Sequence, residues 1–147
     1  MPSIPKPTRI KKKRKKLQTI GALKKKVQTL FNAFIRQRDS KDGFFRCISC
    51  GQVKSVEHMN AGHYLPVSKS QYLRYSFSNV HGECDYCNCF DEFHLVPYRR
   101  NLIAKIGLDK VEELEAMAET HKVYKHTREE LELLNDVLSQ HLSTVKR

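Results

Sequence analysis

Two Cys-x-x-Cys pairs, separated by 33 residues, most strongly constrain how this chain can fold. The first pair is Cys47 and Cys50, and the second is Cys84 and Cys87. Four thiolates can bind one zinc ion in tetrahedral geometry, which leaves no coordination position open for catalysis. The spacing therefore predicts a structural zinc site that joins two distant segments. A redox dithiol, which needs only one pair, and an iron–sulfur site are the alternatives.

The positive charge lies almost entirely at one end of the sequence. Residues 1–46 contain 15 Lys and Arg against two Asp, whereas residues 47–147 contain 12 Lys and Arg against 14 acidic residues. A basic segment of this kind binds polyphosphates, because the release of condensed counterions favours binding without reading sequence. Hydrophobic residues make up 39% of the 147 residues and tryptophan is absent, so we expect one domain with a small core.

Residues 1–16 are predicted to be a disordered basic arm, because they combine three prolines with seven basic residues in the eight positions from Arg9. A nuclear-localisation signal is the alternative interpretation of the run. We predict that the arm binds nucleic-acid phosphates. Its predicted phosphate-binding residues are Lys11, Lys12, Lys13, Arg14, Lys15 and Lys16.

Apolar residues recur at helical spacing from Leu17 and predict a helix that ends near Arg38. Lys24, Lys25 and Lys26 lie largely off the apolar stripe, and we expect them to extend the DNA-facing surface of the arm.

Further helices are predicted beyond the second cysteine pair. The segment 84–106 has helical potential with an interruption at Pro97, since proline disfavours a helix interior. Capping-box patterns begin at Asp109 and at Thr127, and they predict two helices in a C-terminal extension over residues 108–147.

The composition favours a cytoplasmic protein with reduced cysteines. No apolar run of secretory length follows Ile10, and no stretch approaches the length of a membrane span. In a reducing compartment the paired cysteines indicate metal binding rather than disulfides. The fifth cysteine, Cys89, is expected to be a small buried or half-buried thiol.

One histidine stands out among the seven, because His63 lies between the two cysteine pairs. A single histidine in such a place is more often structural than functional. Two asparagines near the second cysteine pair favour a functional role for His63. Asn79 lies five residues before Cys84, and Asn88 directly follows Cys87.

Several segments together carry a resemblance to known proteins. They are Phe34-Ile35-Arg36-Gln37-Arg38-Asp39, Cys47-x-x-Cys50-Gly51, Ala61-Gly62-His63-Tyr64, Asn79-Val80-His81 and Cys84-x-x-Cys87-Asn88, with Tyr98 and residues 102–107 beyond them. In these segments the sequence resembles the HNH (ββα-metal) endonucleases that carry zinc knuckles. It is more closely similar to the NinG (Rap) recombination proteins of lambdoid phages. The resemblance covers about residues 17–107.

The resemblance implies a structure-directed endonuclease that cleaves branched DNA, such as D-loops and Holliday junctions, by Mg²⁺-dependent hydrolysis. It implies that His63 is the general base, that Asn88 binds the catalytic ion and that Asn79 orients the loop. The implied architecture is α+β. It has a zinc-stapled ββα-metal core within residues 17–107, a basic N-terminal helix before the core and helices after it.

The sequence departs from the HNH pattern at Gly62, because many HNH sites place an acidic metal ligand directly before the histidine base. His81 and His94 are the other candidate ligands for a divalent ion. A homodimer is expected, because resolving a two-fold junction needs two cuts, and the C-terminal helices are its predicted interface. Phage or host recombination proteins are the other predicted partners besides DNA. The alternative function is a non-catalytic zinc module that binds DNA or a recombination partner.

Overall fold

The computed structural model describes residues 17–145, and within them the chain is a mixed α+β protein, as predicted. The basic arm, with the predicted DNA-binding residues Lys11 to Lys16, lies outside the described residues. The described elements are α1 (Ile20–Asp39), β1 (Ser40–Lys41), β2 (Phe44–Arg46), β3 (Val53–Ser55), β4 (Met59–His63), β5 (Val80–Cys84), α2 (Asp85–Cys89), α3 (Leu95–Ile106), α4 (Leu108–Thr120) and α5 (Arg128–Val145).

Helix α1 confirms the helix predicted from apolar spacing. It begins at Ile20 because Thr19 caps it: the Thr19 hydroxyl accepts a hydrogen bond from the backbone N–H of Ala22 at 3.2 Å. Its buried stripe consists of Leu23, Val27, Phe31 and Ile35.

The strands form two separate sheets. Strands β1, β2 and β3 make an antiparallel sheet, and β4 and β5 make an antiparallel pair whose register runs from Met59 opposite Cys84 to His63 opposite Val80. Helix α2 begins directly after β5. Strands β4 and β5 and helix α2 therefore follow one another as a strand–strand–helix unit, with a long loop between the strands.

Two predicted helix boundaries were wrong. The helical segment after Cys84 is interrupted before Leu95, not at Pro97, which lies in the first turn of α3. Proline is tolerated there because the first N–H groups of a helix have no partner within the helix. Helix α4 begins at Leu108 after Gly107, whose φ of 90° only glycine adopts readily, so the predicted cap at Asp109 is wrong as well.

The C-terminal helices pack into the core. The capping box at the start of α5 is present: Thr127 Oγ1 accepts from the backbone N–H of Glu130 at 3.2 Å, and Glu130 Oε2 accepts from that of Thr127 at 2.8 Å. Leu131 and Leu138 of α5 are buried against the apolar stripe of α1. Helix α4 packs with α3 in a second cluster around Tyr98. Among residues 17–145, no helix is long and apolar enough to cross a membrane.

Candidate functional site

The four paired cysteines converge into one cluster. Their Sγ atoms all lie within 4.8 Å of one another. Tetrahedral zinc with bonds of about 2.3 Å would separate the sulfur atoms by about 3.8 Å, so the observed spacing fits such an ion. The cluster could bind a metal such as zinc. The prediction that the two cysteine pairs come together is confirmed.

Local backbone geometry brings the two cysteine pairs together. Cys47 and Cys50 lie in the turn between β2 and β3, where Gly51 has a φ of 72° and donates its N–H to the carbonyl of Cys47 at 2.9 Å. Cys84 ends β5, and its N–H donates to Sγ of Cys47 at 3.3 Å. Burial raises the pKa of the Cys87 thiol, and hydrogen bonding with neighbouring thiols raises it further. A bound cation would remove this penalty on the thiolate.

A second group of predicted residues lines one cavity. His63 at the end of β4, Asn88 of α2 and His94 before α3 border a space of about 250 Å³. Pro66, Val67 and Leu95 complete its wall. The structure thus brings together three of the residues that the sequence singled out.

A hydrogen bond to the backbone determines the tautomer of His63. Nε2 of His63 lies 2.9 Å from the carbonyl oxygen of Arg74, which can only accept, so Nε2 carries the proton. The neutral ring then has its lone pair on Nδ1. Burial lowers the pKa of His63, the hydrogen bond to the carbonyl of Arg74 partly opposes this, and the charge of Arg74 lowers the pKa further. At neutral pH the ring is therefore held in the uncharged form that a general base requires.

Asn79 organises the loop between β4 and β5. Its side chain is completely buried and bonds to the backbone of Leu65, accepting from the N–H at 2.9 Å and donating to the carbonyl at 3.0 Å. It also donates to the carbonyl of Leu73 at 3.3 Å. These bonds fix the loop that carries Arg74, which in turn orients His63. Asn79 therefore holds the loop between β4 and β5 in place, and its role in catalysis stays a prediction.

His81 lies in a different environment. Its Nε2 is 3.1 Å from the carbonyl of Ser78, and its Nδ1 is 2.9 Å from Arg38 and 3.1 Å from Lys105. Both nitrogens are thus engaged, and the ring is 2% exposed. Two cations at Nδ1 leave no room there for a third. His81 therefore lacks a free nitrogen with which to bind a divalent ion.

Glu83 was missed by the sequence analysis. Its side chain is fully buried on β5, and its Oε1 accepts a hydrogen bond from Ser49 and lies 2.7 Å from Nδ1 of His94. Its position before Cys84 carries no sequence motif. Only the placement of His94 beside β5 connects this carboxylate with the cavity.

A basic groove adjoins the cavity. It shares Pro66 and Leu95 with the cavity, and its wall includes Lys69, Arg99 and Arg100. Lys69 and Arg100 are exposed, whereas Arg99 pairs with Glu115 of α4. Sequence analysis did not predict these three basic residues as a group, because Lys69 lies 30 residues before the adjacent Arg99 and Arg100.

The lysines predicted on α1 have a mixed exposure. Lys25 and Lys26 are exposed and Lys24 is half-buried, in agreement with their predicted position beside the apolar stripe.

The fold and these sites define a small α+β protein with a four-cysteine cluster and a cavity lined by histidine and asparagine. The family model described as "Bacteriophage Lambda NinG protein" matches residues 6–147. The chain belongs to the NinG family, which confirms the resemblance at this level.

Individual relatives agree with the family model. The chain is 37% identical over 122 residues to "Protein ninG" of Salmonella phage P22 and 36% identical over 122 residues to that of Escherichia phage lambda. Each alignment covers 83% of this chain, and 57% and 56% of the respective relatives. The chain thus spans little more than half the length of these relatives. No solved structure matches the chain.

Proposed function

We propose that this protein is an HNH-type endonuclease that cleaves branched DNA, including D-loops and Holliday junctions, by Mg²⁺-dependent hydrolysis. The observation that carries the proposal is the hydrogen bond that fixes the tautomer of His63 beside a cavity. Its tautomer is fixed by the carbonyl of Arg74, its pKa is lowered and it shares a cavity with Asn88. The β4–β5–α2 unit supplies the strand–strand–helix order that the ββα-metal resemblance implies.

The chemistry begins at Nδ1 of His63. This nitrogen would take a proton from a water molecule, whose oxygen attacks the phosphorus of the scissile phosphodiester. The bond from phosphorus to the 3′ oxygen then breaks, and that oxygen leaves with its electron pair and takes up a proton from solvent. Asn88 and His94 would hold a divalent ion such as Mg²⁺, whose charge stabilises the phosphate and the leaving oxygen. The carboxamide oxygen of Asn88 is a hard ligand of the type that Mg²⁺ prefers.

Positive charge would hold the DNA against this cavity. The adjoining groove offers Lys69 and Arg100 to the phosphate backbone, and the arm and the lysines of α1 would add affinity that is independent of sequence. Branched DNA would be recognised through its shape and backbone rather than through base edges. Zinc in the cysteine cluster would hold Cys84 and Cys87, and with them the start of α2 and Asn88, in place.

A cleavage assay with a matched histidine control tests the proposal. The full-length zinc-loaded protein is incubated with a synthetic four-way junction, a D-loop and linear duplex in Mg²⁺, alongside His63→Ala and His58→Ala. His58 is an exposed histidine outside the cavity. We expect cleavage of the branched substrates by the wild type and His58→Ala, and a loss of at least about 100-fold in His63→Ala, since general-base catalysis contributes ~10²–10⁴-fold.

Equal cleavage by wild type and His63→Ala, or no cleavage of any branched substrate, would overturn the nuclease proposal. The second result would favour a non-catalytic zinc module that binds DNA or a recombination partner. One observation favours that alternative: position 62 is a glycine and has no side chain to bind an ion. The module would bind the junction in an electrophoretic mobility shift with and without His63, and, unlike the nuclease, it would have no cleavage activity to lose.

A further inference from the structure

Glu83 combines complete burial with an incomplete set of partners. Its Oε1 is shared by Ser49 and His94, whereas Oε2 has no hydrogen-bond partner within the described part of the chain. A buried carboxylate without compensation is costly, so such a group is expected to face a cation or a protonated partner. The packing of β4 against β5 does not supply one.

The glycine at position 62 is explained by this carboxylate. In the β4–β5 pair, Gly62 lies opposite His81 and Asn60 lies opposite Glu83, so Glu83 is the diagonal neighbour of Gly62. A Cβ atom at position 62 would lie 2.2 Å from Oε2 and 2.7 Å from Cβ of Glu83. Any residue other than glycine would therefore displace the Glu83 side chain. The carboxylate occupies the space that a side chain at position 62 would enter.

We propose that Glu83 supplies the carboxylate of a divalent-cation site and acts through His94. In this site Nδ1–H of His94 donates a hydrogen bond to Glu83, so the lone pair of the ring lies on Nε2, which binds the cation together with Asn88. A carboxylate behind a metal-binding histidine fixes its tautomer and orientation and strengthens it as a ligand. Glu83 is thus a positioning residue, and its charge offsets that of the cation. The inference rests on the metal-dependent function proposed above.

Mn²⁺ binding without DNA tests the pair of Glu83 and His94, here called the dyad, directly. The zinc-loaded full-length protein is titrated with Mn²⁺, and free Mn²⁺ is measured by electron paramagnetic resonance. We compare the wild type with His94→Ala, Glu83→Gln and the control His58→Ala. His58 makes a similar 2.9 Å contact with Asp85 but lies at an exposed site outside the cavity. We expect Mn²⁺ affinity to fall 10–100-fold in both dyad variants, and to stay unchanged in the control.

A double variant separates positioning from direct ligation. If Glu83 acts only through His94, adding Glu83→Gln to His94→Ala weakens Mn²⁺ binding no further. A further tenfold loss would show that Glu83 binds the cation itself, which overturns the positioning role. Unchanged affinity in His94→Ala overturns the whole inference. Because His94 is partly exposed, this variant is expected to fold even if Glu83→Gln does not.

The failure of this inference differs from the failure of the nuclease proposal. If Mn²⁺ binding depends on Glu83 and His94 but no branched DNA is cleaved, the nuclease proposal is wrong and the cation site is supported. If Glu83→Gln and His94→Ala both retain cleavage and unchanged Mn²⁺ affinity, the proposed role of these two residues is wrong and the nuclease proposal is supported.

Discussion

At His63, a hydrogen bond and burial act on different properties of the same ring. The bond to the carbonyl of Arg74 determines which nitrogen carries the proton, and burial determines how readily the ring takes a second one. The bond places the lone pair of the neutral ring on Nδ1 and by itself raises the pKa, whereas burial lowers the pKa by more and so favours the neutral ring. The pH dependence of cleavage should therefore reveal whether this ring is the base.

We expect the rate of junction cleavage to persist below the pH at which an ordinary histidine would halve it. A general base works in its neutral form, and a histidine with the usual pKa of about 6.5 is half protonated at pH 6.5. Because the pKa of His63 is lowered, the neutral fraction at pH 6.5 exceeds one half, and the rate there should exceed half of its plateau. Below the lowered pKa it should fall about tenfold per pH unit.

Single-turnover rates at saturating Mg²⁺ between pH 5 and 8.5 measure this profile. Saturation with the ion keeps its own pH-dependent binding out of the result. A rate that falls to half of its plateau at or above pH 6.5 would contradict the assignment of His63 as a buried base.

The sequence predicted residues whose role is carried by their chemical type and spacing, and missed those whose role depends on register. The cysteine pairs belong to the first kind. Glu83 belongs to the second, because its carboxylate reaches position 62 only through the pairing of β4 with β5. His81 was proposed as an ion ligand from its place in the motif, but the sequence could not show that Arg38 and Lys105 approach its Nδ1.

At the scale of secondary-structure elements, periodicity and capping residues located the helices better than proline did. Helix α1 and the start of α5 follow from apolar spacing and from the box at Thr127. Pro97 was interpreted as a break, although a proline in the first turn is compatible with a helix. The partner of each helix could not be predicted, since the apolar stripe of α1 fits any complementary stripe.

The packing of α5 on α1 yields a matched pair of substitutions. Leu138 is 1% exposed in the cluster with α1, whereas Leu133 on the same helix is 66% exposed. We expect Leu138→Ala to lower the free energy of unfolding by about 2–5 kcal/mol, because it leaves a cavity in the core. Leu133→Ala should change it by less than about 0.5 kcal/mol.

Urea unfolding followed by circular dichroism measures both variants. Equal small effects would show that α5 is an appendage that contributes little to the stability of the domain. Such a result would leave the helix available as the interface of the proposed homodimer.

At the scale of the whole molecule, the cysteine cluster joins two segments that are distant in the sequence. It connects the turn after β2 with the end of β5 and the start of α2. Glu83 directly precedes Cys84, and Asn88 directly follows Cys87. Asn88, the proposed ion ligand, and Glu83, the carboxylate proposed to position His94, are therefore placed by the same backbone that bears the thiolates. Loss of the cluster metal should consequently affect both stability and the cavity.

Cys89 is exposed, so the prediction that it is a buried or half-buried thiol was wrong. Cys50 and Cys89 provide the test, because both are exposed and only Cys50 belongs to the cluster. We expect one zinc per chain in the wild type and in Cys89→Ser, and loss of tightly bound zinc in Cys50→Ser, measured by inductively coupled plasma mass spectrometry. The melting temperature of Cys50→Ser should fall by at least ~10 °C, since binding of a structural zinc contributes directly to folding free energy. Mn²⁺ binding should weaken with it, because Asn88 and Glu83 lose their fixed positions. If Cys50→Ser instead retains zinc and Mn²⁺ affinity like Cys89→Ser, the cluster is not the metal site that holds this fold together.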